Sequence, residues 1–523
     1  MEWTFSASLQ APKNWPIPLL RNRSRLLCFL LAIVLANHAY SQQITWSSSV
    51  RNDRAIERVQ AVALSDTLLQ VIEERDHHML RWVRFGAQSM RMLGNTEIMP
   101  ASEDDRLAYY FIRRDTLHTL STRWNRALEC TEVFGMQYDT SGKRIGDPLL
   151  LHTHGESSEP RKSVLQCQFS PDSAWVLLFF DSDNERKQTE GIHFKCFDQQ
   201  WQMAWEKDLR LPPSANILQV HHFLVDNSGS VYMMSGRKPL KSNADWQRPQ
   251  GGQYVVYYYN AQRNKLKQYD ISLKDKQVVS VDFKLNNKEE LVVGGYYSDN
   301  FQNKASGTLL FMLQAHGGPI SKAAYTPFSK DFLKEMSGKE KGSLDDFFLD
   351  HLHLTTNGSI VLVGEQYYTS RYVSTDPTTG RQTVEYRYNY NDIMVCSMDS
   401  SGQHVWNNHI AKRQLTSSMY DSNYSYSFAA DSSRLMITFN DDATNNAPEE
   451  AKKRRETSLW SGTKNSVTTQ VEIHFDGQQT RRTCVENDSE RLLFNPLMTA
   501  SGPLPCRFLG FDDKRTYKFC RVD

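Results

Sequence analysis

Apolar and polar positions in this chain alternate in short bursts separated by polar turns. Residues 398–412, MDSSGQHVWNNHIAK, read as the end of one strand, a tight turn and a second strand. Worn copies of two kinds recur. In the first, a polar turn leads into a solid apolar strand: QFSPDSAWVLLFFDSD, FLVDNSGSVYMMSGR, FKLNNKEELVVGGYYSD, LHLTTNGSIVLVGEQYY and FAADSSRLMITFNDD. In the second, the turn leads into a more polar strand, as in MQYDTSGKRIGDPLLL, KCFDQQWQMAWEKDL, YYYNAQRNKLKQYDI, FMLQAHGGPISKAAY and HFDGQQTRRTCVE. Asn, Asp, Ser and Gly supply left-handed or side-chain-bonded backbone at the turns. The flanking runs of Val, Ile, Tyr and Phe supply strands.

One hairpin of each kind makes a unit of four strands, A to D. Units fall near 98–151, 163–209, 217–273, 278–329, 344–415 and 424–487. Four strands per repeat at this period predict an all-β fold, a β-propeller of four-stranded antiparallel blades. Strand B is apolar on both faces in most units, as befits a sheet sandwiched between neighbours. Residues 56–95 and 491–523 each hold less than a clean unit. Together they predict one composite blade that closes the ring through the N- and C-terminal strands. The count is then seven blades, with six and eight as its neighbours.

The D-x-S-G-x-x-x-W and N-G-S-I-V-L-V-G hairpins resemble the propeller superfamily of Kelch-, WD- and quinoprotein-type repeats. Residues 344–440, especially GEQYY, YNYNDIMVCSMDSSGQHVW and AKRQ, are similar to exported propeller proteins of Bacteroidota. There is no Gly-His/Trp-Asp pairing of a true WD repeat and no recurring Kelch Gly-Gly doublet. The resemblance implies fold and export and carries no activity or catalytic residue across.

The first residues set the compartment. Arg21, Arg23 and Arg25 precede the apolar run Leu26–Ala36, followed by Ala39 and Ser41 at −3 and −1 of a cleavage site. This is the pattern of a signal peptide over 1–41, leaving 42–523 as a single propeller domain. Eleven apolar residues are too few to span a bilayer, which takes about 20. The expected location is periplasmic, cell-surface or secreted, with no stable membrane insertion after cleavage. Removing the leader leaves a net charge near −2 and seven cysteines, so no nucleic-acid footprint arises. Buried core cysteines are the favoured reading, with Cys506 and Cys520 the first pair to test for a disulfide.

Long segments gather on one rim. The B–C loops 236–252, 297–307, 366–390 and 441–466, and the connections 151–163 and 329–344, emerge there, whereas A–B and C–D turns are short. Repeat proteins often elaborate a binding face this way. The loop 366–390 offers Tyr367, Tyr368, Arg371, Tyr372, Tyr386, Arg387, Tyr388 and Tyr390, residue types favoured in interfaces. Period-two spacing places Tyr386, Tyr388 and Tyr390 on one side of a strand. Tyrosines covering their own lengthened hairpin are the alternative.

Carboxylates gather at the outlet of strand B: Asp181, Asp183, Asp299, Glu365, Asp441 and Asp442. They offer oxygen ligands for calcium, although ordinary solvated strand ends are the favoured account, and no cofactor is expected. Histidines pair at His77/His78, His152/His154, His221/His222 and His351/His353. His152, His154 and Glu156 offer three metal ligands from one loop. There is no His-Glu-x-x-His, Gly-x-Ser-x-Gly or Walker loop. These observations predict a non-enzymatic scaffold that binds a protein or glycan partner through the long-loop face. The alternative is a carbohydrate-active or other hydrolytic enzyme with its site in the central funnel, its acid and base drawn from distant blades.

Overall fold

The computed structural model describes residues 44–51, 56–65, 67–75, 79–113, 115–154, 166–181, 191–210, 218–237, 253–299, 304–375, 378–419, 421–446, 456–457, 459, 462–501, 507–513 and 516–522. The compact unit spans Thr45–Val522. The expected leader lies outside the described residues.

The recurring turn has a local cause. Asp399 Oδ1 accepts from the backbone N–H of Ser401 at 2.8 Å and of Gln403 at 3.0 Å. Gly402 closes the turn at φ 89°, a conformation that favours glycine. The same arrangement stands at Asp139 with Gly142 and at Asp226 with Gly229. Each aspartate replaces a backbone acceptor within its own turn, so the hairpins are set locally.

Seven four-stranded antiparallel sheets follow in chain order: sheet 1 (56–98), sheet 2 (106–154), sheet 3 (166–210), sheet 4 (218–271), sheet 5 (277–327), sheet 6 (347–410) and sheet 7 (427–486). Sheet 6 gains a short fifth strand, Gln414–Thr416. A terminal sheet draws on both ends of the chain. Ile44–Trp46 and Val50–Arg51 lie beside Thr516–Val522, which pairs with Arg507–Asp512 and through it with Leu493–Phe494 and Ala500–Ser501. The fold is all-β, and consecutive four-stranded meanders packed face to face are the blade arrangement of a β-propeller.

Two expectations change. Residues 56–95 do not share a sheet with 491–523. They form sheet 1 alone, because the alternating, mostly polar stretch Met92–Ile98 supplies its fourth strand. The partner of the C-terminal strands is instead the short N-terminal stretch, with Val50 opposite Tyr517. The connection 329–344 also holds a helix, Lys330–Ser337. Ser329 caps it, accepting from the Phe332 N–H at 3.2 Å, and Phe332 and Leu333 are buried.

The second strands fulfil the sandwich expectation: Leu291–Ser298 is buried at all eight positions. Apolar clusters join each consecutive pair of sheets from 1 to 7. Full burial of one such side chain stabilises by about 1.5–3 kcal/mol. Leu69 and Phe85 of sheet 1 pack with Tyr517 and Phe519 of the terminal sheet. Amide hydrogen bonds tie sheet 7 to the terminal sheet: Asn440 Nδ2 donates to the Phe494 carbonyl at 2.7 Å, and Asn423 Nδ2 to Asp512 Oδ1 at 3.0 Å. Fourth strands such as Ile320–Pro327 are largely solvent-facing. First strands of neighbouring sheets touch, as where Leu349 N–H donates to Ser280 Oγ at 3.0 Å. The first strands are therefore the inner ones.

Cys167, Cys196, Cys396, Cys484 and Cys520 are buried and Cys130 is half-buried, with no disulfide among the described residues. Cys506 lies outside the described residues, so its pairing with Cys520 has no counterpart to describe.

Glu73, with a fully buried side chain, meets Arg75 at 2.9 Å and Arg81, and accepts from the Tyr517 hydroxyl at 2.5 Å. Tyr517→Phe removes a charge-assisted donor across the seam between sheet 1 and the terminal sheet. It should lower stability by about 1–3 kcal/mol, read as an earlier urea midpoint. Acid acts elsewhere. Burial lowers His118, His351 and His404 to about 4. Unfolded, each takes a proton near its ordinary value of about 6.5. The unfolded chain thus binds more protons in that window, and stability should fall as pH drops from about 6.5 towards 4. A thermal melting series across that range checks it.

Candidate functional site

The inner strands carry the most chemically disposed groups. His222 on sheet 4 and Asp282 on sheet 5 stand 60 residues apart in sequence, yet His222 Nδ1 lies 2.9 Å from Asp282 Oδ1. The ring is 38% exposed and the carboxylate 22%. The His222 ring meets Phe283 edge-on. A carboxylate on Nδ1 fixes the tautomer and leaves Nε2 as the basic nitrogen. A β-bulge between Val220 and His222 precedes the dyad histidine. Equivalent bulges precede Ser280 and His351 on the inner strands of sheets 5 and 6. Bulges re-aim side chains and are frequent beside active sites.

Below the dyad the inner strands open into a cavity of about 520 Å³ between sheets 5 and 6. Lys284, Glu290, Met312, His353 and Ile360 help to line it. Lys284 is two residues from Asp282 and His353 two from His351, so each pair shares a strand face. Burial, aided by Lys284, lowers both His351 and His353, while Asp282 pulls His351 back up. The cavity sits at the A–B turns, residues 286–290 and 355–359, on the rim opposite the B–C connections.

A buried polar cluster supports this region from behind. The Lys412 side chain is fully buried and its Nζ lies 2.6 Å from Glu365 Oε1. It also donates to the Tyr390 carbonyl at 2.9 Å and to Gln414 Oε1 at 3.0 Å. Burial lowers the Lys412 pKa and Glu365 opposes that shift. Ser425 Oγ donates to Glu365 Oε2 at 2.9 Å. On the inner strand, Asp350 Oδ2 accepts from the Tyr426 hydroxyl at 3.0 Å and from the Glu365 N–H at 2.9 Å. Burial, with Asp350 and Glu365 nearby, holds the Tyr426 hydroxyl well above its ordinary pKa.

The tyrosine-rich stretch is not a loop. Ile360–Thr375 and Gln382–Met398 form one ladder that runs beyond the sheet, with Tyr367 opposite Tyr390, Thr369 opposite Tyr388 and Arg371 opposite Tyr386. Tyr386, Tyr388 and Tyr390 do share a face, together with Tyr367 and Arg371. Tyr368, Tyr372 and Arg387 occupy the other. At the root, Tyr367 and Tyr390 pack with ring centroids 4.9 Å apart. Arg387 lies over the Tyr372 ring at 4.1 Å and meets Glu385 at 3.0 Å. Tyr368, Tyr372 and Tyr386 are exposed. The eight residues therefore split between two faces of one hairpin.

The strand-B carboxylates do not converge. Asp299 meets Lys276, Glu365 meets Lys412 and Asp441 meets Arg481. Asp442 accepts from the Thr444 N–H at 2.9 Å within its own turn, and Asp183 and the Asp181 side chain lie outside the described residues. His77, His78, Glu156 and the His154 and His221 side chains lie outside as well. Sequence reasoning missed the His222–Asp282 dyad, because His221/His222 was weighed only as a pair of neighbours.

No family model and no curated protein matches the chain. Solved structures do. The polysaccharide lyase Uly1 is 11% identical, covering 80% of this chain and 89% of its own, with a TM-score of 0.37. The WD40 domain of SCAP from fission yeast is 10% identical, covering 92% and 98%, with a TM-score of 0.38. The β-propeller domain of the Trilobed protease from Pyrococcus furiosus is 10% identical, covering 82% and 96%, with a TM-score of 0.34. The likeness concerns the propeller fold. The expectation of a non-enzymatic scaffold is corrected here: the partly exposed His222–Asp282 dyad brings an imidazole and a carboxylate together in a disposition suited to acid–base chemistry. Missing linear motifs do not argue against catalysis in this chain, because its titratable groups meet from strands 60 or more residues apart.

Lys412→Met leaves the Glu365 carboxylate buried without its counter-ion. It should cost about 3–5 kcal/mol, and Lys412→Met combined with Glu365→Gln should recover part of the loss. Urea denaturation of the two variants checks this.

Proposed function

We propose that the chain is an exported, carbohydrate-active hydrolase of the Bacteroidota propeller kind, its site on the inner strands of sheets 4 to 6. The single observation carrying this reading is the partly exposed His222–Asp282 dyad above the cavity between sheets 5 and 6. His222 Nε2 takes the proton of the attacking water and returns it to the leaving oxygen, while Asp282 holds Nδ1–H. The cavity falls within the range of small-ligand sites, about 300–1,000 Å³.

The scaffold we propose is a ring of eight blades: sheets 1 to 7 and the terminal sheet, closed where Val50–Arg51 pairs with Thr516–Val522. The packing of the terminal sheet against both sheet 1 and sheet 7 supports it. Arg371, Tyr386 and Tyr388, which share one face of the hairpin, are assigned to holding a glycan chain on the opposite rim, where the rings offer a stacking face.

The purified chain should release reducing ends from at least one polysaccharide in a panel of neutral and acidic glycans. His222→Ala should reduce kcat at least 100-fold with an unchanged melting temperature. Tyr386→Ala with Tyr388→Ala should raise KM and spare kcat. Full activity in His222→Ala, or no release from any polymer tested, overturns the reading.

A further inference from the structure

Away from the inner strands, one cluster joins sheets 2 and 3. His152 lies on the outer strand Leu149–His154 of sheet 2, where a bulge between Leu150 and His152 shifts the register. His193 lies on Gly191–Phe197 of sheet 3, and Glu206 and Asp208 on the neighbouring strand Met203–Arg210. One nitrogen from each histidine and one Glu206 oxygen lie within 4.8 Å of one another. No other group of three or more potential metal ligands of this kind occurs among the described residues.

The hydrogen-bond pattern assigns the two nitrogens of His193 different roles. Nδ1 is 2.5 Å from Asp208 Oδ1 and Nε2 is 3.1 Å from Glu206 Oε1. A neutral imidazole holds one proton. With that proton on Nδ1 facing Asp208, the Nε2 lone pair meets a carboxylate oxygen, and that approach needs a positive charge in between. Either a second proton or a metal ion meets the need. A tetrahedral ion with bonds of about 2.0–2.2 Å holds its ligand atoms about 3.3–3.5 Å apart, close to this spacing. Asp208 then plays the outer partner that orients a metal-bound histidine.

His152 supplies the third ligand. Its ring stacks on His193 with centroids 4.5 Å apart, and Phe180 packs on it at 4.1 Å. The stacked rings are 24° from parallel, so ligation requires the His152 ring to turn towards Nε2 of His193. The His193 side chain is 12% exposed and Glu206 41%, which leaves the carboxylate side open to a water ligand. The competing charge is Lys195, whose Nζ is 3.4 Å from the same Glu206 oxygen.

We infer that His152, His193 and Glu206 form a zinc-class metal site with one open position, oriented by Asp208 and bridging sheets 2 and 3. Two nitrogens and one carboxylate suit zinc or cobalt and not calcium, which takes oxygen ligands.

The test is equilibrium dialysis of the chelator-treated chain against zinc chloride, with cobalt(II) absorption as a second readout. One zinc per chain is expected, with visible bands of four-coordinate cobalt. Glu206→Gln, at the exposed edge and safe for folding, should weaken zinc binding at least about tenfold. Asp208→Asn should weaken it about 10–100-fold, whereas Lys195→Met should strengthen it. His152→Ala and His193→Ala should abolish the cobalt bands. Zinc affinity unchanged in Glu206→Gln, six-coordinate cobalt spectra, or equal binding of calcium at this site would overturn the proposal.

Discussion

A β-sheet that is apolar on both faces cannot be stable alone. The strand Leu291–Ser298, buried from end to end, states this constraint most plainly, and apolar clusters join each consecutive pair of the described sheets 1 to 7. Each sheet needs a neighbour on either side, so the first and last in chain order would each present a bare face without something to cover it. The terminal sheet supplies that cover: an apolar contact to Phe85 and Leu69 on one side and amide hydrogen bonds to Asn440 on the other. Between consecutive sheets the tryptophans add a directional tie. Trp205 Nε1 donates to the Gly229 carbonyl at 3.1 Å and Trp406 Nε1 to the Phe475 carbonyl at 3.0 Å. Both leave a fourth strand to reach a turn of the next sheet. That reach accounts for the tryptophan four residues after the turn glycine in MDSSGQHVW.

This constraint also decides what could be read from the chain alone. The Asp-x-Ser-Gly turns and the solid second strands were legible, because their causes lie within a few residues. Met92–Ile98 was not. It alternates half-buried with exposed positions, and its residues MLGNTEI resemble a connection more than a strand. Ile44–Trp46 and Val50–Arg51 are three and two residues long, below the length at which alternation means anything. The 366–390 segment has the period-two tyrosines of a strand, and their shared side was legible, but whether it left the sheet as a loop or as a ladder depended on partners across the turn.

The candidate site was hidden for a different reason. In a strand, consecutive side chains point to opposite faces, so reading His221 with His222 leads away from joint action. The relevant neighbour of His222 comes from the inner strand of the next sheet, 60 residues on. Bulges at Val220/His222, Val278/Ser280 and Leu349/His351 shift the alternation by one residue within each inner strand. A bulge leaves little mark in composition, so facing direction beyond it is invisible to a period-two count. Cys167, Cys196 and Cys396, by contrast, were read correctly as core residues from residue type alone.

His222, Asp282 and His351 each stand three residues before the last paired residue of their inner strand, Val225, Leu285 and Leu354. Each of the three inner strands carries a bulge upstream of that level. On the second and third strands a polar group loses its water, and those buried there hold partners, as Glu73 holds Arg75 and the Tyr517 hydroxyl. Where the chain does bury charge near that layer, it surrounds it: Glu365 holds Lys412, Ser425 and a link through its own N–H to Asp350. Stability and chemistry are thus assigned to different strands of the same sheet. The inner strand, flanked on one edge only and half-buried, is where polar residues can vary from sheet to sheet without loosening the stack. That division of labour places the dyad and the cavity on sheets 4 to 6 while the hairpin rhythm continues unchanged around them.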